Sequence, residues 1–311
     1  MERAELIEKA KIATNIDGQY GELNLVDVMG TDLDIVEAAK VSYVRADRPM
    51  LSDDVTLLRY LMRHRHSTPF EMVELKFRIA CPIFVVRQWH RHRTQSYNEE
   101  SGRYSEMRNE MYQILPHQWR AQSTSNKQGS AGNIPDEWPE DPNEFIYARA
   151  ACETPCEYLS ESQKAVQTHA RANYEARLKL GVAKEIARNE LPVSTYTGFY
   201  AKANLRNWLH FLGLRRDGHA QLEIRRYADR IGEIISELFP ISYKAWEDYD
   251  FNSMTLSAPE IQVMSAMFSD VGTSGLCAET IAAEILTRRE IGEFKEKLTR
   301  LGLTDLVNRL G

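Results

Sequence analysis

The chain has 311 residues, of which 43% are hydrophobic and 27% are charged, and its formal net charge is −6. This composition predicts a soluble globular protein with a sizeable core, and the acidic balance argues against a protein that coats nucleic acid non-specifically. The longest uncharged apolar run, residues 79–86, is too short to span a bilayer, and the charged N-terminal segment does not resemble a signal peptide. Four cysteines without a CxxC pair suit free thiols, so a cytoplasmic location is expected.

Short strands and helices alternate in the first third of the chain. The spacing of apolar residues predicts a strand over 22–29, a helix over 31–40 opened by a capping box at Thr31–Asp34, a helix over 54–63, a strand over 75–79 and a helix over 82–89. If the last of these helices forms, with Pro82 in its first turn, Gln88 and Arg91 lie three apart on one face and can reach the same ligand.

The rest of the chain contains one segment of different character. Residues 121–143 are polar and carry three prolines, which predicts a long loop or a flexible insertion. The next predicted elements are a helix capped by Ser160 and Gln163 that runs to about Leu180 and is ended by Gly181, and a strand over 195–203. A helix from Asp217 to Pro240 follows, and then helices over the last sixty residues with a capping box at Ser257–Glu260. No regular βαβ rhythm, GxGxxG or GxxxxGK[ST] is present, so Rossmann and P-loop phosphate sites are unsupported.

One compact cluster carries the chemistry. Between residues 87 and 103 lie four arginines and two histidines, interleaved with Gln88, Ser96, Asn98 and Ser101. Arginine offers a planar fork of donors that suits phosphates and carbonyl-bearing rings. A solvated, salt-bridged surface run is the ordinary alternative, but this cluster directly follows an apolar strand and helix and includes Trp89 and Tyr97. We therefore predict a phosphate- and ring-binding segment.

Other interpretations of the cluster are weaker. His64, His66, His90 and His92 could supply metal ligands, yet neighbouring arginines would repel a cation, and no metal is predicted. An RHRHR patch could bind nucleic acid, but the chain is acidic and has a single cluster. Ser101 could be a nucleophile, although no His–Asp partner pattern accompanies it.

The segment RHRTQSYNEESGRY, residues 91–104, contains the pattern RHRxxSxNExSxRY and resembles the signature of flavin-dependent thymidylate synthases. The resemblance extends in order through residues 25–42, 66–71, 82–89, 187–192, 204–215 and 217–224. It implies an α+β fold, a mixed sheet with surrounding helices, for a catalytic domain over 1–250 that contains the insertion. Residues 251–311 are then a helical C-terminal extension of unknown role.

The resemblance also implies an activity and partners. The family converts dUMP to dTMP with methylenetetrahydrofolate as carbon donor, FAD as hydride carrier and NADPH as reductant. It implies a homotetramer with active sites shared between subunits, and neither a nucleic acid nor a membrane partner. The Pro155-Cys156 pair superficially resembles unrelated, flavin-free thymidylate synthases, but its surroundings do not support that alternative.

Individual positions carry over from the family pattern. Arg215 matches the residue that favours the ionised uracil ring, and Ser101 becomes a ligand contact. Positions that match flavin contacts are Ser42, His66, Thr68, Arg91, His92, Arg93, Glu99, Asn204, Arg206, His210 and His219. Positions that match dUMP contacts are Gln88, Arg91, Glu99, Ser101, Gly102, Arg103, Arg188 and Arg215. His210 departs from the pattern, because related sequences often have asparagine there.

Overall fold

A computed structural model of the chain describes residues 2–42, 49–124, 128–141, 145–268, 278–308 and 310. Residues 125–127 and 142–143 of the predicted insertion, and 269–277, 309 and 311 of the predicted C-terminal extension, lie outside the described residues.

The described residues form strands and α-helices in an α+β arrangement. The strands are β1 (Thr14–Asn15), β2 (Glu22–Met29), β3 (Glu74–Pro82), β4 (Ser96–Glu99), β5 (Arg120–Gln122), β6 (Ser130–Asn133) and β7 (Tyr196–Asn204). The first helices are α1 (Arg3–Lys11), α2 (Asp32–Ala39), α3 (Ser52–Arg63), α4 (Ile83–Trp89), α5 (Ile146–Ala151), α6 (Pro155–Lys179) and α7 (Lys184–Ala187). The later helices are α8 (Leu205–Arg215), α9 (Leu222–Leu238), α10 (Pro240–Trp246), α11 (Ala258–Phe268), α12 (Ala278–Ile285), α13 (Arg288–Arg300) and α14 (Thr304–Asn308).

A five-stranded sheet in the order β1-β2-β3-β7-β4 supports the structure. Leu75, Phe77 and Ile79 of β3 are buried and alternate with polar residues, as predicted. All pairings in this sheet are antiparallel. The α+β class is therefore confirmed, whereas the expected mixed sheet is corrected to an antiparallel one, because β7 returns alongside β3 in the opposite direction.

Helices α4, α8 and α9 pack their apolar faces together beside the sheet. Trp89, the last residue of α4, is fully buried, with its ring centroid 4.8 Å from Phe211 and 5.3 Å from Phe199. The predicted stripe on α9 is also buried; it comprises Ile224, Ala228, Ile231, Ile235 and Leu238. These aromatic and aliphatic contacts fix the end of α4, where the predicted binding segment begins.

Capping residues and apolar spacing predicted most of the helices, but some predicted helix ends differ from those in the structure. The capping box at Thr31–Asp34 and the one at Ser257–Glu260 are both present. The predicted cap formed by Ser160 and Gln163 is wrong, because α6 starts earlier, where Thr154 accepts a hydrogen bond from the Glu157 N–H at 3.2 Å. Gly181 follows the end of α6 with φ of +80°, as the prediction required.

Other boundaries also differ from the predictions. Helix α9 starts at Leu222, not at Asp217, because the Asp217 carboxylate instead accepts a hydrogen bond from the His219 backbone N–H. Helix α4 ends at Trp89, so Arg91 lies beyond the helix and does not share a helical face with Gln88. Pro82 is both the last residue of β3 and the N-cap of α4, which corrects its expected place inside the first turn.

Part of the predicted insertion forms regular secondary structure. Strands β5 and β6 pair as a two-stranded antiparallel hairpin, where a loop was expected. Backbone hydrogen bonds build this hairpin, so the polar composition of the segment did not reveal it. Trp138 has its ring centroid 6.0 Å from that of Phe145 and 6.1 Å from that of Tyr158.

The contacts of the chain divide it into two compact units, Met1–Trp246 and Glu247–Gly311. The second unit contains helices α11 to α14, which confirms the predicted helical character of the C-terminal residues that the structure describes. Its own core includes Val263, Phe294 and Leu298, all fully buried. In this part of the chain, Lys297 Nζ lies 2.6 Å from the buried carboxylate of Glu260.

Candidate active site

The segment 91–104 crosses from the buried end of α4 to the edge of the sheet. His92 is buried, while Arg91 and Arg93 on either side of it are exposed. The chain then forms β4, which pairs with β7 so that Ser96 faces Lys202 and Glu99 faces Phe199. The exposed polar side chains of this segment therefore start next to a buried residue, His92, just beyond the end of α4.

A small hydrogen-bond network fixes the turn between α4 and β4. The Trp89 indole N–H donates to Gln95 Oε1 at 3.2 Å. The Tyr97 hydroxyl lies 2.9 Å from the carbonyl oxygen of His92 and 3.1 Å from that of Trp89. Burial raises the pKa of Tyr97, which therefore stays a neutral donor. This internal support holds the turn between α4 and β4 in place, which a simple solvated surface run would not do.

Arg215, the last residue of α8, is held by neutral acceptors. Its Nε donates to His92 Nε2 at 2.9 Å, and its Nη2 donates to the Gln88 carbonyl oxygen at 3.2 Å. Burial, then the charges of Arg215 and His210, lower the pKa of His92 to about 4, so His92 is neutral at pH 7. Since Arg215 has no carboxylate partner in the described chain, its positive charge remains available to a ligand.

A second group of predicted residues lies along β4 and the loop that follows it. The Thr197 hydroxyl donates to Glu99 Oε1 at 2.9 Å. Gly102 lies against Arg188: a Cβ at position 102 would be 2.3 Å from Met107 Sδ and 3.1 Å from Arg188 Cδ. Arg103 Nε lies 3.4 Å from a Glu185 carboxylate oxygen. Glycine at 102 thus allows the close approach of a cationic side chain.

The remaining predicted residues are dispersed. His66 and Thr68 are exposed beside the short helical turn at Thr68–Met72, and Arg206 lies 3.3 Å from Glu71 in the same region. Asn204 caps α8 by accepting from the Asn207 N–H at 2.9 Å. Ser42 and His219 are exposed. By contrast, His210, although exposed, has its ring centroid 6.3 Å from that of His92.

The structure therefore brings some predicted residues together and leaves others apart. Arg215 contacts both His92 and the Gln88 carbonyl, His210 lies beside His92, and Arg188 lies beside Gly102. In the described chain, no hydrogen bond or ion pair joins the Arg215 group, the Gly102 group and the His66 group. Within the described residues, hydrogen bonds and ion pairs of one copy therefore do not join the complete predicted set.

Several arginines near the segment lack acidic partners. Within the described ranges, the side chains of Arg87, Arg91, Arg93 and Arg188 take part in no ion pair. By contrast, Arg108 is held by Glu100 through two hydrogen bonds, at 2.8 and 2.5 Å. Uncompensated guanidinium groups attract anions, so the exposed face of this region favours a phosphate-bearing ligand.

Sequence reasoning missed some residues that shape the site. Gln221 accepts a hydrogen bond from the Gln88 side chain, although it lies 133 residues away along the chain. Thr197 orients Glu99 across the β4–β7 pairing. The only sequence signal for Gln221 was its place within the segment 217–224 that resembles the family. The Thr197 contact depends on the register between β4 and β7, so the sequence contained no signal for it.

The alternative metal hypothesis gains no geometric support. The His64 and His66 rings have centroids 6.3 Å apart, while His92 Nε2 already accepts from Arg215. Among the residues whose placement is described, no group of three potential ligands could hold a metal ion. No helix in the same residues combines the length and apolar character needed to cross a membrane.

Comparison with known proteins places this geometry in a family. The model of the family described as "Thymidylate synthase complementing protein" matches residues 24–241. A flavin-dependent thymidylate synthase from Wolbachia pipientis wMel is 43% identical over 245 residues, covering 79% of this chain and 80% of the relative. One from Thermus thermophilus is 43% identical over 249 residues, covering 80% of this chain and 84% of the relative.

A solved structure extends the comparison to three dimensions. The UMP/dUMP methylase PolB from Streptomyces cacaoi, bound with 5-Br dUMP, is similar with a TM-score of 0.63 at 31% identity, covering 74% of this chain and 96% of that chain. Both the family model and the relatives span most of the first compact unit. The chain therefore belongs to the flavin-dependent thymidylate synthase family.

Proposed function

We propose that the chain converts dUMP to dTMP by reductive methylation, with FAD as hydride carrier, methylenetetrahydrofolate as carbon donor and NADPH as reductant. The observation that carries this proposal is the placement of Arg215. Its guanidinium is fixed by His92 and by the Gln88 carbonyl, yet no carboxylate in the described chain neutralises it.

Arg215 has the properties that activation of uracil requires. A uracil ring reacts at carbon only after electron density is pushed towards the reacting atom. A guanidinium beside the ring favours its anionic form electrostatically, without covalent attack by the protein. Because its anchors are neutral, Arg215 can direct its full charge at the ring. We assign Arg215 as the catalytic residue on this ground.

The β4 region supplies groups suited to the rest of dUMP. Ser101, Arg103 and Arg188 offer a hydroxyl and two cations for the phosphate. Glu99, oriented by Thr197, can accept from a sugar hydroxyl. The substrate set we propose is Gln88, Arg91, Glu99, Ser101, Gly102, Arg103, Arg188 and Arg215.

The side chains proposed to hold FAD also fit its chemistry. Arg91 and Arg93 are exposed and have no acidic partner among the described residues, as the anionic pyrophosphate of FAD requires. The remaining residues of this set offer neutral or cationic donors and acceptors and, at Glu99, a carboxylate acceptor: Ser42, His66, Thr68, His92, Glu99, Asn204, Arg206, His210 and His219. Bound flavin supplies the hydride transfer, and the protein supplies orientation and charge.

The separation of the predicted residues supports shared active sites. No hydrogen bond or ion pair links the Arg215 group, the Gly102 group and the His66 group in one copy of the described chain. We infer that a homotetramer completes each site with residues from neighbouring subunits. A cytoplasmic location belongs to the same proposal, since Cys81, Cys152 and Cys156 are free thiols.

The absorption spectrum of the purified protein tests the proposal. The protein, as isolated or after addition of FAD, should be yellow; NADPH should bleach it, and dUMP should change the flavin spectrum. With methylenetetrahydrofolate present, dTMP should form. Protein that stays colourless after FAD addition would contradict the proposal. UMP should be assayed in parallel, because the solved relative is named a UMP/dUMP methylase.

A further inference from the structure

A buried carboxylate lies at the start of α9. Glu223 is only 6% exposed, and its Oε1 accepts from Arg120 Nη2 at 2.7 Å. Its other oxygen, Oε2, is buried and has no hydrogen-bond partner in the described part of the chain. Burying a carboxylate with one unmatched oxygen is unfavourable. Stability alone therefore does not account for this residue.

Glu223 lies two residues after Gln221, the N-cap of α9. The Gln221 side-chain oxygen accepts from the Gln88 amide, and the Gln88 backbone carbonyl in turn accepts from Arg215 at 3.2 Å. The position of the first turn of α9 thus determines where the Gln88 side chain points. Gln88 therefore connects this turn to the residue we assign to catalysis.

Arg120 connects this turn to the hairpin. It belongs to β5, and its Nε donates to Ser130 Oγ on β6 at 3.1 Å while its Nη2 donates to Glu223. The guanidinium therefore bridges both strands and α9. Its planar fork restricts the orientation of the partners more than a single-point contact would.

An open cavity lies beside Gln221, so the position of this residue depends on the Arg120–Glu223 contact. A cavity of about 480 Å³ is lined by Arg120, Gln221 and Glu223 together with Phe84 and Tyr112. Because one side of Gln221 faces open volume, close packing does not fix its side chain there. The Arg120–Glu223 pair restrains the backbone of the turn instead.

We propose that Glu223, held by Arg120, is a positioning residue that orients Gln88 for dUMP. This inference rests on the proposed function, in which Gln88 contacts dUMP. A purely structural role is the competing explanation, because an acidic residue in the first turn of a helix also stabilises the helix dipole. The two explanations differ in effect: positioning governs dUMP affinity, whereas a structural role governs only the unfolding midpoint.

The test uses the full-length protein with FAD bound. The dUMP dissociation constant is measured from the dUMP-dependent flavin spectrum, and KM and kcat from dTMP formation. Glu223→Gln keeps the shape of the side chain but removes its charge, and should weaken dUMP binding about five- to tenfold with kcat changed by less than about twofold. Arg120→Met, at a partly exposed position, should give a similar loss and serves if Glu223→Gln does not fold.

Two further variants sharpen the outcome. The double variant Glu223→Gln/Arg120→Met should bind dUMP no more weakly than the weaker-binding single variant, because both substitutions act through the same contact. Arg120→Lys should recover part of the affinity lost in Arg120→Met. The matched control is Glu260→Gln, which also removes a buried carboxylate paired with a cation near a helix start; it should leave dUMP binding unchanged.

The possible failures are distinguishable. Wild-type dUMP affinity in both Glu223→Gln and Arg120→Met, even with a lowered unfolding midpoint, would overturn the positioning role and leave the proposed function intact. Absence of flavin binding and of any dUMP-dependent change in the wild-type protein would instead overturn the proposed function and this inference together.

Discussion

His92 and Arg215 are joined by a hydrogen bond of 2.9 Å from Arg215 Nε to His92 Nε2. The lowered pKa of His92 keeps its ring neutral at neutral pH, and accepting from Arg215 requires that the remaining ring proton is on Nδ1, which leaves Nε2 unprotonated. A family-matched flavin contact therefore also orients the residue that we expect to activate the uracil ring.

His92→Phe should lower kcat/KM for dTMP formation by about ten- to a hundredfold. Phenylalanine fills a similar volume but accepts no hydrogen bond, so Arg215 loses one of its two anchors. His92→Gln restores an acceptor and should retain more activity. Steady-state kinetics of both variants checks this, with circular dichroism as the folding control. Equal activity in His92→Phe and wild type would contradict the orienting role.

Arg215→Ala should reduce kcat by at least about a hundredfold, because it removes the charge placed to stabilise the anionic ring. The side chain is an end-of-helix residue with neutral partners, so the fold should change little. Single-turnover dTMP formation measures the effect. Arg289→Ala removes an exposed arginine from the second unit and is the control; it should keep wild-type turnover. Full turnover in Arg215→Ala would remove the assigned role.

The sequence predicts the individual strands and helices better than it predicts the contacts within the site. Strand β3 and the buried stripe of α9 were predictable because their periodicity is local. The start of α6 was missed although Thr154 and Glu157 form a capping box, since Ser160 and Gln163 offered a second apparent cap. In the structure, Ser160 donates to the Ile114 carbonyl oxygen at 2.7 Å.

Long-range contacts within the site carried no such local signal. The His92–Arg215 bond joins residues 123 apart, and Arg120 reaches Glu223 over 103 residues. Such pairings depend on how helices pack against the sheet, which local patterns do not encode. Family resemblance named both His92 and Arg215 but not their contact, and it named neither Gln221 nor Thr197.

The stability of the protein should fall as the pH decreases from about 6.5 towards 4, in part because of His92. Its pKa is about 4 in the folded state and 6.5 in the reference state. The unfolded chain therefore binds a proton more readily in this window, so the contribution is complete above 6.5 and is lost as the pH falls. Urea unfolding midpoints at pH 7, 5.5 and 4.5 measure the decline. His92→Gln should reduce its steepness; an unchanged slope would contradict the assignment.

Gly102→Ala should raise KM for dUMP by about tenfold because the added Cβ has no room. It would be 2.3 Å from Met107 Sδ, which must move away, and 3.1 Å from Arg188 Cδ, so the Arg188 side chain must also give by a few tenths of an ångström. The same substitution at Gly292 is the matched control, since a Cβ there meets nothing within 4 Å and the residue lies in α13. Gly292→Ala should leave KM unchanged and stabilise the protein by up to about 1 kcal/mol through helix propensity. Kinetics with dUMP and urea unfolding separate the two effects, and a wild-type KM in Gly102→Ala would show that the loop tolerates displacement of Arg188.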